Sequence, residues 1–252
     1  MKLNRYVQLA ALVSSVFAAT ASAQMAGTQF SAEMVSRGPD GQASTGRMYV
    51  GDGRMRMETN QQGREVVRIT DQNRGVELLL FPDRKGYMER SIPSGQSSSR
   101  PSSGTSPCEG LQDVSCRKVG EEDVGGRAAV KWEMSIEREG RTLTGTQWVD
   151  AERGLPLKYQ MPNGQSMELR MLGEETVDGR AVEKWEMTSA MPNQQPVKTF
   201  QWYDPELKLS VREEFPGGYV RELDHIQVGP QPDALFAIPD GYSRMESPPA
   251  QR

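Results

Sequence analysis

VGEEDVGGRAAVKWEM (119–134) and LGEETVDGRAVEKWEM (172–187) are copies of one segment, identical at eleven of sixteen positions. Each copy runs on into a second matched stretch, QWVDAERGLPLKYQMPNGQSMEL (147–169) and QWYDPELKLSVREEFPGGYVREL (201–223). All four tryptophans fall at matched places: Trp132 with Trp185, 53 residues apart, and Trp148 with Trp202, 54 apart. The one extra residue lies between the KWEM and QW segments, where a hairpin loop absorbs it. A strand–turn–strand unit repeated in tandem buries its apolar face against its neighbours. The expected repeats span 119–170 and 172–224.

The same rhythm extends outward. In TQFSAEMVS, Phe30, Ala32 and Met34 alternate with polar residues. After a Gly-Pro-Asp-Gly turn (38–41) comes GRMYV, and Gly51-Asp52-Gly53 reverses the chain into RMRMET, where Met55 and Met57 share one face and Arg54 and Arg56 the other. REVVRIT, VELLLF and YMER follow with turns between them. Period-2 alternation between tight Gly, Asn and Asp turns is the mark of an antiparallel meander. No apolar stripe of helical period runs beyond about three turns. The DALF segment (233–236) reads as one short helical turn that pins Phe236 and Ile238 onto the sheet.

At the N-terminus, Lys2 and Arg5 precede a short apolar run (9–17) and a small-residue site, Ala21-Ser22-Ala23. These are the parts of a secretion signal, with cleavage expected after Ala23. The run is too short and interrupted to span a bilayer. Removing 1–23 leaves 28 basic against 34 acidic residues, a formal charge of −6 in place of −4. That balance argues against nucleic acid as a partner. The expected organisation is a signal peptide (1–23), an N-terminal β meander (24–90), a flexible segment (91–107), a duplicated half (108–245) in the same sheet or domain, and a frayed tail (246–252). Thirteen of the seventeen residues in 91–107 are Ser, Pro or Gly, which leaves little to bury.

Cys108 and Cys116 are the only cysteines. In an exported protein they are expected to form a structural disulfide. The lone histidine, His225, has no second histidine to complete a zinc site or a nucleophile–base pair and is expected at the surface. Glu121-Glu122 and Glu174-Glu175 recur in the repeats but abut turns, so they read as solvated flanks and not as an acid–base pair. Met48, Met55 and Met57 lie close in sequence. Thioethers suit Cu(I), and they also suit adaptable apolar surfaces. The tryptophans pack duplicated hairpins, and one of each pair borders an apolar groove.

GRMYVGDGRMRME with QQGREVV, the GEE-V-GR-KWEM block, the W-D-E-LPLK strand and the closing LFAIPDGY together resemble a domain-of-unknown-function family of exported proteobacterial proteins. That family is similar in turn to the lipoprotein-carrier fold of LolA, LolB and RseB. The resemblance covers most of residues 27 to 245. It implies an unclosed, strongly curved antiparallel half-barrel with an apolar concave face, which in the carriers holds acyl chains under short lid helices. Those helices have no counterpart here, and the resemblance implies no catalytic residues.

The expected protein is therefore mainly β, periplasmic and non-enzymatic, without a cofactor, and binds something apolar: a lipid, an acyl chain or a lipoprotein segment. Its candidate groove residues are Met48, Met55, Met57, Trp132, Trp148, Trp185 and Trp202. A structural or sensory envelope module, and a copper binder using the methionines, are the alternatives. The oligomeric state is left open.

Overall fold

The computed structural model describes residues 27–92, 106–109, 111, 113–138 and 140–246. The expected signal peptide, most of the Ser/Pro/Gly-rich segment and most of the tail lie outside them. The chain is mainly β and divides into two compact units. Of the described residues, unit 1 comprises those within 27–92, 206–209 and 220–246, and unit 2 those within 106–205 and 210–219. The division cuts through the second sequence repeat, because its last strand pairs with the first strand of the chain.

Unit 1 begins with a meander of six strands: β1 (Phe30–Arg37), β2 (Ala43–Gly51), β3 (Arg54–Gln61), β4 (Arg64–Asp71), β5 (Val76–Phe81) and β6 (Gly86–Ser91). β15 (Tyr219–Val228) lies antiparallel beside β1, and the short β16 (Ser243–Arg244) lies parallel beside β6. The strand series β16-β6-β5-β4-β3-β2-β1-β15 does not close on itself. Asp52-Gly53 and Gln62-Gly63 carry φ of 48° and 73°, and of 54° and 81°. Positive φ at both central residues is what a type I′ hairpin turn requires, which is why glycine stands second in each. Val67, Ile69, Leu78 and Leu80 form a buried cluster on one face with Phe236, and Tyr49, Tyr87, Leu235, Ile238 and Tyr242 pack around it. The Asp233–Phe236 3-10 turn brings Phe236 onto that face, as the sequence predicts. Arg56 Nη1 donates to the Leu235 carbonyl at 2.8 Å, and the Arg54 guanidinium stacks 4.6 Å from the Phe236 ring centre.

Unit 2 is a second meander: β7 (Val114–Val124), β8 (Arg127–Arg138), β9 (Arg141–Asp150), β10 (Pro156–Gln160), β11 (Ser166–Val177), β12 (Arg180–Ala190), β13 (Val197–Asp204) and β14 (Leu209–Phe215). Its strand order follows the chain from β7 to β14, again without closure. Its buried cluster joins Val124, Ala129, Trp148, Leu157 and Trp185. A disulfide joins Cys108 to Cys116 at the start of β7.

The duplication has a structural device that its sequence does not announce. β7 bulges between Lys118 and Gly120, and β11 bulges at the matched place between Met171 and Gly173. A single inserted residue switches every following side chain to the other face. Val119 and Leu172 are the inserted residues, and both are exposed. After the bulge Glu122 stands opposite Ala129, two residues from Lys131, and Lys131 stands opposite Trp148. Without it Glu122 would fall on the face of Trp132.

Candidate functional site

The residues predicted to line one groove separate into two environments. In unit 2 the register places Trp132 opposite Gln147 and Trp148 opposite Lys131. Directly opposed residues share a face while neighbours along a strand do not, so Trp132 and Trp148 project from opposite faces. Trp185, opposite Gln201, and Trp202, opposite Lys184, do the same. Trp148, Trp185 and Trp202 are buried, and Trp132 is half-buried.

Each buried indole is tied to a carboxylate. Trp148 Nε1 donates to Glu122 at 2.8 Å, and Lys131 Nζ donates to the other oxygen of the same carboxylate at 2.6 Å. In the second copy Trp202 Nε1 donates to Glu175 at 2.6 Å and Lys184 to its other oxygen at 3.0 Å. Lys131 and Lys158 lie 5.0 and 5.4 Å from the Trp148 ring centre, and Lys184 and Arg212 lie 4.7 and 5.4 Å from that of Trp202. Such distances permit cation–π attraction. Trp185 Nε1 donates to Glu183 at 3.1 Å, and Arg153 grips that carboxylate at 2.8 Å. The copy of Glu183 in the first repeat is Val130, so Trp132 has no carboxylate at that position.

Glu121, Glu122, Glu174 and Glu175 are exposed, as the sequence suggests, but they lie within β7 and β11, and Glu122 and Glu175 are tied to an indole and a lysine. Hydrogen bonds from Lys131 and Trp148 hold Glu122 below the usual carboxylate range, and those from Trp202 and Lys184 do the same for Glu175. Beside them Arg127 pairs with the buried Asp150, and Arg180 with the buried Asp204. Burial pushes the Asp150 carboxyl up, but Arg127 and the backbone N–H groups of Arg153 and Glu152 outweigh it and keep the carboxyl low. The signal that could have revealed these ties is present in both repeats: Glu, Arg, Lys, Trp and Asp recur in the same order, with Trp and Asp displaced by the one inserted residue.

The methionines stand differently. Met48 pairs directly with Met57, and Met55, two residues from Met57, pairs with Val50. All three therefore share one face of unit 1, opposite to the face that carries Ile69, Leu78 and Phe236. The row through Met48 reads Ala32, Met48, Met57, Arg68, Leu79, Met88 across six strands. The next row reads Phe30, Val50, Met55, Thr70, Glu77, Arg90. Phe30, Ala32 and Val50 are buried, whereas Met48, Met55, Met57, Leu79 and Met88 are half-buried. Gly46 continues this face and lets Met34 approach: a Cβ there would collide with the Glu58 carbonyl and lie 2.9 Å from Met34 Cε. The register thus assembles a methionine-lined surface to which Met34, Leu79 and Met88, missed in the sequence, also belong.

Two depressions elsewhere in unit 1, of about 240 and 330 Å³, are lined largely by polar and charged residues such as Glu33, Arg47 and Glu58 in one and Glu89 and Arg244 in the other. His225 is exposed at a bulge in the β1–β15 pairing with φ of 53°, and its Nδ1 lies 3.3 Å from Glu33. Among the described residues no group of three or more His, Cys, Asp or Glu side chains is placed to hold a metal ion. None of the described helices is long and apolar enough to cross a membrane.

No protein-family model and no curated protein sequence matches the chain. Among solved structures it is similar to a LolA superfamily protein from Nitrosomonas europaea, at 12% identity over 88% of this chain and 96% of that one, with a TM-score of 0.39. It is also similar to the hypothetical lipoprotein YmcC of Escherichia coli, at 14% identity over 92% and 100%, TM-score 0.28. The MucA/MucB complex of Pseudomonas aeruginosa gives 15% identity over 85% and 98%, TM-score 0.24. What the site can do follows from its own residues.

Proposed function

We propose that this is an exported, periplasmic, non-enzymatic protein that reversibly binds an apolar ligand (a lipid, an acyl chain or a lipoprotein segment) on the methionine-lined face of unit 1. One observation carries the reading. Met48, Met55, Met57, Leu79 and Met88 share one half-exposed face, while on the opposite face Val67, Ile69, Leu78 and Leu80 of β4 and β5 are buried with Phe236. Methionine is unbranched and polarizable, so such a surface adapts to ligands of varied shape. Burial contributes about 0.8 kcal/mol per methylene. An open face covers one side of a chain, so about fourteen methylenes would contribute roughly 5–6 kcal/mol, a Kd on the order of 0.1 mM. That strength suits exchange and not permanent storage.

The test is an organic extract of the purified protein examined by mass spectrometry, together with titration of a fluorescent fatty acid. Co-purified lipid or saturable uptake supports the reading; neither one, at protein concentrations near the expected Kd, removes it. Three thioethers on one face also suit Cu(I). Equilibrium dialysis of the wild type against a Met48/Met55/Met57→Leu variant decides that reading, which fails if neither form retains copper.

A further inference from the structure

The apolar face of unit 1 is also a positively charged face. From β1 to β6 the charged side chains that share the register of Met48 and Met57 are Arg64, Arg68 and Arg90 against a single acid, Glu77. That is a local surplus of two positive charges in a chain of formal net charge −4. The arginines are exposed and the acid is buried. Glu77 is committed to Arg90, whose Nη2 lies 2.8 Å from Oε1, while Arg68 Nε stands 4.0 Å from the same oxygen. The Arg68 guanidinium therefore remains half exposed, with Met57 on one side of it in the row and Leu79 on the other.

Resting on the proposed apolar binding, we infer that the ligand is an amphiphile with an anionic head group, which Arg68 holds while the chain lies along Met57 and Met48. The argument is one of charge complementarity and of magnitude. Methionine and leucine along one open face give only weak binding, as estimated above, so an anchoring charge decides which amphiphiles are retained. A guanidinium offers a planar fork of donors to a carboxylate or phosphate, and Met57 and Leu79 beside it offer apolar surface to the adjoining chain. An amine head group would meet the same surplus charge and be repelled.

The test uses the full-length protein and three probes of one chain length: a long-chain fatty acid, its methyl ester and the corresponding primary amine. Each displaces a neutral fluorescent apolar dye below its aggregation concentration. The expected result is that the acid binds about tenfold more tightly than the ester, the scale of one charge-assisted hydrogen bond, and that the amine binds more weakly than either. Arg68→Gln brings the acid level with the ester and leaves the ester unchanged; Arg68→Lys restores part of the preference. If acid and ester bind alike, or Arg68→Gln keeps the preference, the head-group inference is overturned while apolar binding stands. If none of the three displaces the dye and the dye itself does not bind, both fall.

Discussion

The two units use their large apolar side chains in opposite ways. In unit 2 the indoles of Trp148 and Trp202 are held from several sides: a carboxylate on the N–H, a lysine bridging to that carboxylate, and cations near the ring. In unit 1 the thioethers of Met48, Met55 and Met57 share a half-exposed face. An indole with its polar atom satisfied and its faces packed has a structural task completed. A row of flexible side chains half open to water has surface still to bury. Repetition of an indole together with its carboxylate, as in Trp148–Glu122 and Trp202–Glu175, marks the first kind of position here, and the unrepeated methionines mark the second.

Substitutions in the two units should separate along this line. The largest effect is expected for Asp150→Ala or Asp204→Ala. Each removes the carboxylate of a buried ion pair and strands a largely buried arginine, costing about 3–5 kcal/mol in urea unfolding. A loss below about 1 kcal/mol would show that the ties of unit 2 are ornamental. Next comes a contrast within a single strand of unit 1. Leu78→Ala, on the buried face, should cost about 2–5 kcal/mol. Leu79→Ala, on the methionine face, should cost about 1 kcal/mol or less, because water already reaches that side. Equal losses would mean that the methionine face is packed as firmly as its opposite.

The acid limb of stability sharpens the comparison further. Glu122, Glu175 and Asp150 all have lowered folded-state pKa values. Their stabilisation is fully present above the unfolded carboxylate values of about 3.9–4.3 and is lost as pH falls through the lower folded values. Thermal midpoints should therefore hold from neutral pH to about 5 and fall below about 4 on this account. Glu122→Gln/Glu175→Gln should lower stability at neutral pH and flatten that acid limb. A limb of unchanged steepness would assign it to other carboxylates. The smallest effect is expected for Met48→Leu with Met57→Leu, a volume-conserving change on a half-exposed face, within about 1 kcal/mol of wild type.

Much of this was legible in the sequence. Alternation gave the strands of both meanders, the NG, DG and GG turns placed the hairpins, and DALF foretold the turn that seats Phe236. Alternation also put Met55 and Met57 on one face. Pairing Met48 with Met57 needed the register across the Asp52-Gly53 turn. The tryptophans were harder. Whether Trp132 and Trp148 share a face depends on which residue of β9 opposes which of β8, and loop sequence alone does not fix that register. The bulges at Val119 and Leu172 left no mark beyond an apolar residue before glycine, yet they decide where Glu122 and Glu175 point. The face that Arg68 shares with the methionines emerges only when β3, β4 and β5 are laid side by side.

The central claim is that apolar ligands meet the methionines of unit 1 and not the tryptophans of unit 2. Titration of a fluorescent fatty acid into a Met48→Asp/Met57→Asp variant and a Trp148→Phe variant, each first shown by circular dichroism to be folded, tests it most directly. The account predicts that the first loses binding by tenfold or more, on the scale of about 1.4 kcal/mol per decade, and that the second binds as the wild type does. Unchanged binding in the methionine variant, or a loss confined to the tryptophan variant, would contradict it.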